Sequence, residues 1–214
     1  MRKKERIIEA IVRQGVLPDA VVSVVDPKLR ELGATLANPY KIELGGIAEE
    51  SAKSSVAVYA VLPLMLLLML TILMVALGSF ARLTMALSLL PLGLIGVVLA
   101  LLVFRRPLGF VAILGILALL GMIAKNAVIL LTQIELDRGA GLSVRDAVLQ
   151  ASASRLRPLM LTAGATALGL IPIAPTVFWG PMAFAIMGGL LVATMLTLVF
   201  LPTVYVTLFD KDAA

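Results

Sequence analysis

The chain has no cysteine and no histidine among its 214 residues. The first absence excludes disulfides and thiolate-bound metal, and the second removes the commonest metal ligand and acid–base catalyst. Charge is scarce too: charged residues make up 14% of the chain and aromatics 5%. All 13 Asp and Glu residues fall outside the long apolar runs. Without His, Cys, a carboxylate pair inside an apolar run or a glycine-rich phosphate loop, little remains from which to build a nucleophile, base or metal site. No enzymatic activity, cofactor or bound metal is expected.

Apolar sequence dominates what is present. Hydrophobic residues reach 61% and mean hydropathy is +1.08, which places the chain in the integral-membrane class. A net charge of +5 and a pI near 9.8 are compatible with nucleic-acid binding. The basic residues are nevertheless scattered over loops and ends, with no aromatic-interleaved stripe. Membrane lipid is therefore the expected surface partner, and nucleic acid is not.

Two regions separate along the chain. Residues 1–55 are polar, with nine Lys/Arg against eight Asp/Glu. Residues 5–13 have helical spacing, 20–25 read as a strand, 27–37 as a helix and 40–44 as a second strand. The expectation is a small α+β extramembrane fragment, too short to bury much core alone and so a piece of a larger domain. Residues 56–214 form a transmembrane helical bundle of five spans, near 57–77, 83–104, 109–134, 159–177 and 182–209. The expected class is thus mainly α and integral membrane, with the α+β fragment in front. Between the third and fourth spans, Ser143-Val144-Arg145-Asp146 resembles a capping box and opens a short helix over about 143–154. That helix lies either on the membrane surface or in a solvated loop.

Lys125 stands out inside the third span. A charge at that depth costs at least roughly 2.5–3.5 kcal/mol on insertion scales and usually marks an ion or proton pathway. Snorkelling of its stem toward the interface is the plainer alternative. Gly121, Lys125 and Thr132 share one helix face, and Asn126 and Gln133 form a neighbouring polar stripe. The next span is entered by Arg155-Leu156-Arg157-Pro158 and then presents Thr162, Thr166 and Gly169. The arginines also suit headgroup anchoring, and the threonines suit packing with hydroxyls bonded back to their own helix. Charge bias in the short loops places Arg82, Arg138, Arg145, Arg155, Arg157 and Lys211 on the cytoplasmic side. The basic start (Arg2, Lys3, Lys4, Arg6) argues the reverse.

These residues carry a family resemblance. Gly121-Met-Ile-Ala-Lys-Asn-Ala-Val-Ile-Leu130, a polar connector and Ser154-Arg-Leu-Arg-Pro-Leu-Met-Leu-Thr162 resemble the resistance–nodulation–division (RND) efflux transporters. The match is closest to the hydrophobe/amphiphile, acriflavine-resistance-type branch. Ile42-Glu-Leu-Gly-Gly upstream, and Trp179-Gly-Pro, Gly188-Gly-Leu190 and Leu201-Pro202 downstream, also fit.

The resemblance implies the C-terminal portion of such a permease, covering helices 8–12 of twelve and the tail of a periplasmic porter segment. It implies a proton relay of Lys125, Arg155 and Thr162, supported by Asn126, Gly121 and Thr166. The lysine would pair with an acidic pair on a helix in the missing half, so this portion is expected to be inactive alone. A trimer with a periplasmic adaptor and an outer-membrane channel is implied, in the bacterial inner membrane. By the same resemblance the N-terminal segment is periplasmic and the C-terminus cytoplasmic. The alternative is a non-transporting membrane module, or a split subunit that assembles with a separate chain. A small autonomous channel is a third reading, with a thin polar lining.

Overall fold

The computed structural model describes residues 18–35 and 47–210. Six helices follow in order: α1 (Pro18–Thr35), α2 (Ile47–Leu77), α3 (Phe80–Val103), α4 (Phe110–Gly139), α5 (Val144–Leu170) and α6 (Gly180–Phe209). The chain divides into two compact units, Met1–Val58 and Tyr59–Ala214.

In the first unit the described segments are α1 and the start of α2, and the expected strand at 20–25 is instead helical, continuous through Pro27. A short valine-rich run has no period that separates strand from helix, and Pro18 suits the first turn. The described residues contain no strand, so the α+β expectation is not met there. The expected helix at 5–13 and strand at 40–44 lie outside the described residues.

Among the described residues four helices are long and apolar enough to cross a membrane: Lys53–Leu77 within α2, and α3, α4 and α6. The expected fifth span, 159–177, is not among them. Its helix stops at Leu170 and residues 171–179 turn, leaving an apolar stretch of about 18 Å after Pro158, against a hydrocarbon core of about 30 Å. The short helix expected over 143–154 and the start of that span are one element, α5. Ser143 caps it, accepting from the Asp146 N–H at 3.2 Å. Buried Ala147, Ala151, Leu159 and Ala163 recur along one face on both sides of Pro158. That continuous buried stripe offsets the proline penalty of about 3 kcal/mol.

Helix α6 is the axis of the second unit. It packs on α3, α4 and α5, and α4 also touches α3 and α5. The core holds Leu89 and Val97 from α3, Leu119, Ile123, Leu130, Leu131 and Ile134 from α4, and Leu201 and Tyr205 from α6. Where α3 crosses α6 the backbones meet almost directly. A Cβ added to Gly188 would lie 2.3 Å from Ala100 Cβ and 2.8 Å from the Gly96 carbonyl oxygen. Such an approach needs glycine on both sides.

Short turns join α2 to α3, α3 to α4 and α4 to α5. Gly78 takes a left-handed conformation (φ 59°) between α2 and α3, and its N–H donates to the Met74 carbonyl at 2.9 Å. At the far end of α3, Phe104 stacks on Phe184 of α6 at 4.1 Å, and Arg106 lies over the same ring.

Candidate functional site

Helix α4 runs five residues beyond the end expected for it, which places Lys125 near the midpoint, about 20 Å from either end. The buried face of α4 carries Val111, Ala112, Gly115, Leu119, Ile123, Ala127, Leu130 and Ile134. Lys125 lies opposite, and with Gly121 and Thr132 it is exposed. No atom lies within 4 Å of a Cβ placed on Gly121. Asn126, one position on, turns inward and is buried. Among the described residues no carboxylate comes within ion-pair distance of Lys125.

Thr162 and Thr166 occupy the outward side of α5 and spend their hydroxyls on their own helix. Thr162 donates to the Pro158 carbonyl, and Thr166 to the Thr162 carbonyl at 2.8 Å. Arg155 differs. It falls in the four-residue series of Ala147, Ala151, Leu159 and Ala163, so it is half-buried and directed toward α4. There its guanidinium donates to Gln133 Oε1 at 2.5 Å. No hydrogen bond or ion pair joins Lys125, Arg155 and Thr162 to one another among the described residues.

A second polar group gathers where α3 begins and α4 and α6 end. The buried Tyr205 hydroxyl donates to Glu135 Oε1 and accepts from Arg138 at 3.0 Å. Glu135 also sits 3.6 Å from both Arg82 and Arg138. Arg138 lies over the Phe209 ring, and Arg145 pairs with Asp210 at 2.8 Å. Sequence reasoning placed Glu135 and Arg138 in a polar connector and missed this group. Its visible signals were a tyrosine inside an apolar run, whose hydroxyl needs a partner, and a Glu–Arg pair three residues apart.

A model of the AcrB/AcrD/AcrF family of RND permeases matches residues 2–209 of the chain. The chain belongs to that family. Among solved structures, it is similar to two crystal forms of a heavy metal efflux pump, at 28% identity in both. The superpositions give TM-scores of 0.67 and 0.66 and cover 89% and 92% of this chain. They cover only 20% of the pump, so this AcrB/AcrD/AcrF family chain spans about a fifth of the length of the structures it matches.

Proposed function

We propose that this family member is the relay-bearing C-terminal part of a proton-coupled RND efflux permease in a bacterial inner membrane. The observation that carries the reading is Lys125 itself: a cation midway along an apolar helix, on an open face, with no described carboxylate partner. An ammonium in hydrocarbon needs an anion, and an acidic pair supplied by the remaining part of the permease answers that need. A carboxylate in low dielectric resists ionisation while a neighbouring ammonium favours it, so one proton can switch such a pair and the packing around it. Arg155 and Thr162 join the relay by resemblance, with Gly121, Asn126 and Thr166 letting another helix approach.

Orientation follows from charge. Contacts among Arg82, Glu135, Arg138, Arg145 and Asp210 bring the start of α3, the ends of α4 and α6 and the start of α5 to one end of the bundle. Its arginines favour the cytoplasmic side. The N-terminal segment is then periplasmic, and assembly is as a trimer with an adaptor and an outer-membrane channel. Amphiphilic drugs are the substrate class favoured by Ala124-Lys125-Asn126, and the likeness to a heavy metal efflux pump favours metal ions.

A chimaeric pump tests both points, with these residues replacing the matching fifth of the heavy metal pump. In proteoliposomes under an imposed pH gradient, transport of ethidium is compared with that of Cu(I). Gradient-driven transport is expected with Lys125 and not with Lys125→Met. Transport that survives the substitution overturns the relay reading, and ethidium transport gained by the chimaera over the parent pump assigns the amphiphile preference to these residues.

A further inference from the structure

Arg155 does not meet α4 at random. Its partner Gln133 is itself engaged: Gln133 Nε2 donates to Asp137 Oδ1 at 2.8 Å, one turn further along α4. Asp137 is buried at 8% exposure, and its second oxygen, Oδ2, has no partner. Gln133 therefore supplies the only hydrogen bond to that carboxylate among the described residues. Other charged side chains toward this end are engaged elsewhere: Glu135, Arg138 and Arg82 with one another and with Tyr205, and Arg145 with Asp210.

A carboxamide has one donor end and one acceptor end, and either orientation fits the same shape. In this arrangement only one is acceptable. Reversal would set Gln133 Nε2 against the Arg155 guanidinium, donor against donor, and Oε1 against the Asp137 carboxylate, acceptor against acceptor. An ionised carboxylate accepts and cannot donate, so Asp137 selects the orientation that presents Oε1 to α5. The bond from Arg155 is charge-assisted and directional. It is also the one hydrogen bond of the guanidinium among the described residues, and Arg155 Nε is buried without a partner.

We propose that Gln133 and Asp137 are positioning residues for Arg155: Asp137 orients the Gln133 carboxamide, and the carboxamide holds the guanidinium of α5 against α4. The local claim stands on these contacts. Its consequence for transport rests on the proposed relay, because it makes the α4–α5 spacing at Arg155 depend on a side chain eight residues from Lys125.

The test reads Arg155 directly. The full 214-residue chain, with ¹⁵N-labelled arginine, is placed in lipid nanodiscs, and Arg155→Lys assigns the Arg155 guanidinium signals. The wild-type chain is expected to show resolved, slowly exchanging Nη protons for Arg155. Gln133→Leu should speed that exchange about tenfold, the loss of one charge-assisted hydrogen bond, with helicity unchanged. Asp137→Asn should give a similar loss, because an amide at 137 no longer forces one orientation. Adding Gln133→Glu to Asp137→Asn places at 133 a carboxylate that needs no orienting, and should restore slow exchange.

Unrestrained Arg155 signals in the wild-type chain, or signals unmoved by either single substitution, would overturn the proposal. Failure of the double variant to restore them would remove Asp137's orienting role. The two readings fail separately. Loss of the Lys125 effect on transport sinks the relay and leaves the guanidinium result standing, and free guanidinium protons sink the positioning whatever transport shows.

Discussion

The Tyr205 hydroxyl, wholly buried near the end of α6, donates to the Glu135 carboxylate of α4. The same oxygen accepts from Arg138 at 3.0 Å, so one hydroxyl is used in both senses between two opposite charges. The ring packs on Phe209 at 4.6 Å, which keeps the hydroxyl in register with α4.

Removing that oxygen should be costly although the ring remains. Tyr205→Phe preserves the packing and deprives Glu135 and Arg138 of their shared partner. A loss of about 1–3 kcal/mol is expected, the range for a buried polar group left unsatisfied. Thermal or denaturant unfolding of the chain in nanodiscs measures it. A variant as stable as wild type would mean that the direct Glu135–Arg138 pair, 3.6 Å apart, carries the contact alone.

The glycines make a prediction in two signs. Gly188→Ala drives a methyl into Ala100 and the Gly96 carbonyl, so α3 and α6 must separate, at about 1–3 kcal/mol. Gly121→Ala and Gly164→Ala meet nothing within 4 Å. Each should stabilise its helix by roughly 0.5–1 kcal/mol. Opposite shifts in unfolding midpoint are expected, and a destabilising Gly121→Ala in the isolated chain would show that this face is already occupied.

Much of this architecture was written in residue patterns, and the exceptions have identifiable causes. Unbroken apolar runs announced the apolar part of α2, and α3, α4 and α6, because a helix is the only open-ended way to satisfy backbone groups in lipid. Pro158 misled. It normally ends or kinks a helix, but α5 passes through it because Ala147, Ala151, Leu159 and Ala163 bury one continuous stripe, a tertiary gain that no local signal announces. The valines at 20–25 misled for the opposite reason, since a run that short fits either period. The exposed Lys125 face could be drawn from helical spacing alone. The contacts of Arg155 and Tyr205 could not, because they join residues 22 and 70 positions apart.

Charge pairing should be worth different amounts at different depths. Arg145 and Asp210 approach to 2.8 Å, but the arginine is 72% exposed. Arg145→Ala is therefore expected to cost under about 1 kcal/mol, and less as salt is raised. Glu135→Gln, which disturbs the half-buried contacts to Tyr205, Arg82 and Arg138, should cost more and respond less to salt. Unfolding at low and high ionic strength separates the two, and equal salt sensitivity would argue that water reaches Glu135 freely.

The last prediction concerns Lys125 and distinguishes a lone cation from a relay member. In the 214-residue chain the ammonium has no described carboxylate, so Lys125→Met removes a liability and restores nothing. Membrane insertion of α4 should become more favourable by roughly 2.5–3.5 kcal/mol, the penalty of a charge at the helix centre. A glycosylation-mapping assay of α4 insertion reads that shift. In the chimaeric pump the same substitution should abolish gradient-driven transport, because the anion that needed the lysine is then present. Improved insertion together with lost transport identifies a residue kept for its charge against its own helix's interest. An insertion gain near zero would instead place the nitrogen in water or among headgroups, and a lysine solvated there has no call on a buried acidic partner.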